Sequence, residues 1–213
     1  EDDELKSLKP FPLRKKRPCI FEYIYFSRPD SLLDGITAYE YRKKLGAELS
    51  KEDKIKADLV VPVPDSGNAA AIGYSQSKNI KFDLGLIRNH YVGRTFIEPA
   101  QKIRSLGVKL KLNANKSSIK NKIVVLVDDS LVRGTTSYKI VNMLYEAGAK
   151  EVHLRIASPE IKYPDFYGID MPSKKELLAA NMSVDEICQY VKAKSLKFLS
   201  IDGLYKAIGY EKR

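Results

Sequence analysis

Cysteine and histidine are scarce in this 213-residue chain: Cys19 and Cys188 are the only thiols, His90 and His153 the only imidazoles. That excludes a disulfide framework and a cysteine-built zinc site, and leaves oxygen ligands for any metal. Long apolar runs are lacking too. Stretches such as Ile123-Val124-Val125-Leu126-Val127 fall far short of the ~20 residues that cross a bilayer, and no charged-then-apolar signal segment opens the sequence. The expectation is a cytoplasmic protein with no membrane partner. Neither G-x-x-x-x-G-K-[ST] nor G-x-G-x-x-G occurs, so a Walker-type ATPase and an ordinary dinucleotide site lose support. There is no internal repeat.

With 44% hydrophobic and 30% charged residues, the chain has the composition of a globular protein, and its length suits one domain rather than two. Thirty-seven basic residues against 27 acidic ones give a net charge of +10. That excess favours phosphates, nucleotides or nucleic acid as partners, without choosing among them. The first residue is Glu1 rather than Met, which reads as a processed product or a piece of a longer chain.

Residues 1–18 run from Glu1-Asp2-Asp3-Glu4 to Arg14-Lys15-Lys16-Arg17-Pro18 without apolar periodicity, which predicts an extended basic arm ahead of a domain over 19–213. The run Ile20–Phe26 predicts a strand closed by the turn residues Arg28-Pro29-Asp30-Ser31, and Asp34–Leu49 a helix. Short β-rich runs then alternate with helical segments. Strands are expected at Asp58–Val63, Phe82–Ile87, Ile123–Val127, Val152–Ser158 and Leu196–Ser200; helices are expected from Ala69 and at Thr136–Ala147, Lys174–Ala180 and Val184–Lys192. This alternation predicts an α/β fold with a mainly parallel sheet flanked by helices. Ligands of such sheets bind at the carboxyl ends of the strands. The basic stretch Arg88–Asn121 lacks helical period, and a connection of that length is usually functional or mobile.

The most informative segment is Val124-Val125-Leu126-Val127-Asp128-Asp129-Ser130-Leu131-Val132-Arg133-Gly134-Thr135-Thr136-Ser137. A buried strand ends in adjacent carboxylates, and a loop of glycine and hydroxyl residues leads into a helix. Loop amides and the positive helix end suit a phosphate, and the hydroxyls add donors. The two carboxylates suit ribose hydroxyls or a hydrated Mg²⁺. Separately, each feature is commonly just a strand end or a helix cap; side by side they point to a sugar phosphate.

This segment closely resembles the phosphoribosyl-pyrophosphate (PRPP) motif of type I phosphoribosyltransferases. The ordered blocks Cys19–Ser31, Val61–Gly67, Tyr91–Ile97, Lys109–Asn113 and Phe166–Asp170 narrow the resemblance to the transferase half of the glutamine PRPP amidotransferases, over about residues 19–209. The family forms 5-phosphoribosylamine from PRPP and ammonia released from glutamine, the committed step of purine synthesis. The resemblance implies a type I phosphoribosyltransferase fold with a long mobile lid over Arg88–Asn113. It implies that Asp128 and Asp129 hold ribose and Mg²⁺, with Ser66 on the metal side. Ser130 and Arg133-Gly134-Thr135-Thr136-Ser137 would wrap the 5′-phosphate, and Asp65-Ser66-Gly67 would form the pyrophosphate loop. Arg94, Lys109 and Lys111 would contact pyrophosphate from the lid. His90 reads as a surface variant.

Two departures qualify the likeness. Family members carry a glutaminase domain whose first-residue cysteine attacks glutamine. Cys19 follows a basic arm and cannot be that nucleophile, so ammonia is the expected nitrogen donor, with a separate glutaminase chain as a partner. The iron–sulfur branch of the family uses four cysteines. Cys19 matches the first, Asp165 stands at the second, and Cys188 reads as a core residue, so no iron–sulfur cluster is expected. A homo-oligomer and feedback by purine nucleotides are further implications. The rivals are a salvage transferase joining PRPP to a purine or pyrimidine base, which the amidotransferase blocks disfavour, and a non-catalytic PRPP- or nucleotide-sensing regulator. No aromatic stacking motif supports nucleic-acid binding.

Overall fold

The computed structural model describes residues 7–14, 19–89, 112–165 and 173–209. Residues 7–14 carry no regular structure, and Leu8, Phe11 and Leu13 are exposed. The expected strand at Ile20–Phe26 is instead helical, ending in a π-helical turn over Glu22–Phe26. Its aromatic, β-branched composition favours a strand locally, but tertiary contacts decide otherwise. Tyr23 and Ile24 are buried, and the Arg42 guanidinium donates to the carbonyls of Tyr23 and Ser27 at 3.1 and 2.7 Å.

A small hairpin follows, β1 (Leu32–Leu33) and β2 (Ile36–Thr37), turning through Asp34 and Gly35 at φ 49° and 83°. That Asp-Gly pair is the usual chemistry of a two-residue hairpin turn, and it shortens the expected helix. Helix α1 therefore starts at Ala38 and runs to Lys51, capped by the Thr37 hydroxyl, which accepts from the Glu40 amide at 3.2 Å. Ala38, Tyr41, Arg42, Leu45 and Leu49 share its buried face.

The remaining elements are β3 (Leu59–Pro62), α2 (Asn68–Lys78), β4 (Leu86–Arg88), β5 (Leu112–Ala114), α3 (Lys116–Ile119), β6 (Ile123–Asp128), α4 (Thr135–Glu146), β7 (Glu151–Ile156), α5 (Leu178–Asn181), α6 (Val184–Val191), β8 (Ser195–Phe198) and α7 (Ile201–Ile208). The expected helix at Lys174–Ala180 is a 3₁₀ turn, Lys174–Glu176, followed by α5. Of the expected strand at Phe82–Ile87, Phe82 makes a single parallel bridge to Val60 and the ladder begins at Leu86. Leu86–Arg88 pairs antiparallel with Leu112–Ala114, so the two ends of the expected lid, Arg88 and Asn113, lie in one antiparallel ladder. Residues 90–111 of the expected lid, with His90, Arg94, Lys109 and Lys111, lie outside the described residues.

Strands β3, β6, β7 and β8 form a parallel sheet in that order. Successive side chains of β6 point to opposite faces, as the strand period requires. Val124 and Leu126 join the core under α4 and α6, while Val125 and Val127 join the core under α1, α2 and α7. Both faces are thus covered, which is why β6 is a continuous apolar run rather than an alternating one. Cys188 is half-buried on α6, its thiol donating to the Ala193 carbonyl at 3.3 Å, and Cys19 is exposed. Among the described residues no helix is long and apolar enough to cross a membrane.

Candidate active site

The sheet itself locates the site. From β3 the chain passes through α2 to Phe82 on one side of β3, whereas β6 lies on the other side. The connections diverge between β3 and β6, and a crevice opens at such a divergence beyond the carboxyl ends of the strands. Both candidate loops lie there.

The loop after β3 is drawn tightly against β6. A Cβ on Gly67 would lie 2.5 Å from the Val127 carbonyl oxygen and 2.9 Å from that of Val63, so no side chain fits. The Gly67 amide donates to the Val63 carbonyl at 2.9 Å, and the Pro64–Asp65 peptide is cis. Ser66 is thereby brought beside Asp129, where its hydroxyl favours the ionised carboxylate. The exposed Asp65 carboxylate forms an ion pair with Arg88 of β4.

Asp128, the last residue of β6, and Asp129 just beyond it are nearly completely buried, 8% and 5% exposed. The Asp129 amide donates to Asp128 Oδ1 at 2.9 Å, and the Ser130 hydroxyl donates to Asp129 Oδ1. Burial and the adjacent Asp129 charge push the Asp128 carboxyl well above the ordinary range, against the Asp129 amide bond. Burial also raises Asp129, opposed by the hydroxyls of Ser130 and Ser66 and by the charge of Arg42. Arg42 is a site neighbour that motif reading missed. The helical period of α1 is the signal that would have found it, because Arg42 falls on the face carrying Ala38, Tyr41, Leu45 and Leu49.

Among the described residues, four buried side-chain polar atoms have no hydrogen-bond partner: Asn68 Oδ1, Arg88 Nε, Asp129 Oδ2 and Ser158 Oγ. All four lie at or beside the carboxyl ends of the strands. Asn68 follows Gly67, Arg88 pairs with Asp65, Asp129 stands beside Ser66, and Ser158 lies just past β7, whose Ile156 is in register with Asp128. Buried polar groups are nearly always paired, so four orphans at one end of the sheet mark a surface built for something polar.

Beyond Asp129 the chain runs through Ser130 and exposed Arg133 to Gly134, at φ 69°, and then into α4. No side chain caps this helix. Thr135 and Thr136 are exposed and Ser137 is buried, so the first-turn amides and two hydroxyls face outward. The structure thus brings together Asp65, Ser66, Gly67, Asp128, Asp129, Ser130, Arg133, Gly134, Thr135, Thr136 and Ser137 around one crevice. Arg94, Lys109 and Lys111 lie outside the described residues.

Known proteins resemble this chain along nearly its whole length. Over 212 residues, 99% of this chain, it is 58% identical to the amidophosphoribosyltransferase of Rhizobium etli. Nearly all of the chain thus matches the amidophosphoribosyltransferases. The enzyme of that name from Methanocaldococcus jannaschii is 54% identical over 200 residues. Among solved structures, the glutamine PRPP amidotransferase of Bacillus subtilis, complexed with ADP and GMP, superposes with a TM-score of 0.83 at 54% identity, covering 91% of this chain and 43% of that one. The fold is accordingly that of the type I phosphoribosyltransferases. No family model matches. The chain spans about two-fifths of its relatives' length, 42% for the R. etli and M. jannaschii amidophosphoribosyltransferases.

Proposed function

We propose that this chain, over residues 19–213, is the phosphoribosyltransferase part of an amidophosphoribosyltransferase. It would form 5-phosphoribosylamine from PRPP and ammonia in the first committed step of purine biosynthesis. The observation that carries this reading is the meeting of Asp65-Ser66-Gly67 and Asp128–Ser137 at the divergence of the sheet, around buried polar atoms that lack partners.

In this reading the α4 amides, Arg133 and the hydroxyls of Thr135, Thr136 and Ser137 hold the 5′-phosphate, and Asp128 and Asp129 take the ribose hydroxyls. The loop Asp65-Ser66-Gly67 receives the pyrophosphate, with Arg94, Lys109 and Lys111 as further contacts. Positive charge develops on the ribose anomeric carbon as the bond to pyrophosphate breaks, and the paired carboxylates stabilise it. Ammonia supplies the lone pair for the new C–N bond, and the proton it loses passes to solvent or to a basic group.

A hard cation fits the donor set, since Asp129 Oδ2 is buried without a partner and Ser66 stands beside it. Asp128, Asp129 and Ser66 would hold Mg²⁺, which when bound offsets charge on the departing pyrophosphate. With two cysteines in the sequence, no iron–sulfur cluster is proposed. Because the B. subtilis relative is complexed with ADP and GMP, purine nucleotides are proposed as feedback ligands. A homo-oligomer and a glutaminase partner complete the reading.

The test supplies PRPP and Mg²⁺ with ammonia, glutamine or free bases in parallel. Phosphoribosylamine should form with ammonia, and faster at alkaline pH as the free NH₃ fraction grows. Nucleotide from a free base would favour a salvage transferase, and PRPP binding without any product would favour a regulator.

A further inference from the structure

The loop assigned to the 5′-phosphate has little internal support. Gly134 takes a left-handed φ, no side chain caps α4, and the loop residue Arg133 is exposed. What meets the loop comes from a separate stretch of chain. The Leu178 amide donates to the Val132 carbonyl at 3.0 Å. A Cβ on Gly134 would lie 2.3 Å from Leu178 Cδ1 and 3.2 Å from the Tyr190 ring, so the Leu178 side chain occupies the space the glycine leaves. Tyr190 in turn lies 6.3 Å from Tyr138 of α4, centroid to centroid. Arg133 Nε donates to Glu176 at 2.6 Å, an exposed pair of small worth.

The supporting stretch, Lys174–Asn181, consists of one 3₁₀ turn and one α turn, too short to persist unaided. Asn181 ties it together. Its Nδ2 donates to the carbonyls of Lys174, Leu177 and Lys175 at 2.9, 2.7 and 3.3 Å, two hydrogens shared among three acceptors. Leu177 anchors the knot in the core with no exposure.

We propose that Leu178, held in place by Asn181, is a positioning residue that fixes the loop Ser130–Gly134 in the form that accepts the 5′-phosphate. This rests on the proposed function for the identity of the ligand, but the contact with the loop stands without it. Leu178 touches no reacting atom. Removing it should let the loop sample other conformations, so that PRPP has to order the loop as it binds.

The experiment follows hydrogen exchange of the 213-residue chain without ligand, then PRPP affinity by calorimetry with Mg²⁺. In Leu178→Ala, amides of Ser130–Ser137 should exchange about tenfold faster while those of β6 and β7 keep the wild-type rate. The PRPP dissociation constant should rise about tenfold, with turnover at saturation less affected, and Leu178→Met, similar in volume, should restore both. Gly134→Ala disturbs the same contact from the loop side and should accelerate the same amides. Unchanged exchange over Ser130–Ser137 in Leu178→Ala and Gly134→Ala overturns the inference, as does equal acceleration throughout the sheet. Faster loop exchange in a chain whose wild type fails to bind PRPP supports the buttress and overturns the proposed function instead.

Discussion

Two sets of buried carboxylates in this chain are treated in opposite ways. Asp53, just past α1, is 6% exposed and fully partnered. Arg155 of β7 reaches both of its oxygens, and the Tyr74 hydroxyl donates to Oδ2 at 2.6 Å. Burial alone would raise its pKa, but the bonds from Arg155 and Tyr74 prevail and hold it below the ordinary carboxylate range. Asp128 and Asp129 are as deeply buried, yet both are raised, and one oxygen has no partner. The first set ties α1 and α2 to the sheet. The second is left unsatisfied by the fold, which is what a group reserved for a ligand looks like.

The contrast is most sharply broken by Asp53→Ala, which strands the buried Arg155 cation. Stability should fall by about 3–5 kcal/mol, read from urea unfolding at pH 7. At the crevice the opposite pattern is expected. Asp128→Asn and Asp129→Asn should each lower turnover with PRPP and ammonia by ~10²–10³-fold, while melting at or above the wild-type temperature. A melting point several degrees lower in both variants would mean that these carboxylates support the fold as Asp53 does.

The pH dependence sharpens the same comparison. A carboxyl raised in the folded state binds its proton more tightly there than in the unfolded chain, so stability falls as pH rises through the folded pKa. Asp128→Asn removes that loss. Its stability relative to wild type, followed by unfolding without ligand, should therefore grow as pH climbs above the ordinary carboxylate range. Asp53 has the opposite sign: its contribution is complete above the unfolded pKa and disappears as pH falls through its lowered folded value. The smallest effect is expected on the surface of α1. Lys43 and Glu40 pair at 3.2 Å near solvent, and Glu40→Gln should change stability by less than ~0.5 kcal/mol in the same urea assay.

The parts of the site that were legible in the sequence are contiguous ones. The apolar run of β6, the adjacent carboxylates and the glycine–hydroxyl loop occupy one stretch, where strand and turn chemistry can be read directly. Ser66 and Asp129 meet only because β3 and β6 are neighbours, and Arg155 bonds Asp53 from 102 positions away. Local patterns do not encode such distances. Ile20–Phe26 misled for the reverse reason, because its β-favouring residues are overruled by Arg42 binding the carbonyls of Tyr23 and Ser27. Helix α7 escaped notice although its Ser200 cap, accepting from the Gly203 amide at 2.9 Å, is an ordinary start signal. Leu178 had no signal at all, since its role comes from a glycine 44 positions earlier that leaves room for it.

The unequal placement of the two thiols gives the chain a built-in chemical clock. Cys19 is open to solvent, whereas the Cys188 thiol is tied to the Ala193 carbonyl at the end of α6 and made less acidic by burial and by Asp185. A thiol-directed dye at neutral pH should therefore attach first to Cys19 and more slowly to Cys188. The delay between the first and second label reads how well that corner of the fold shields its thiol.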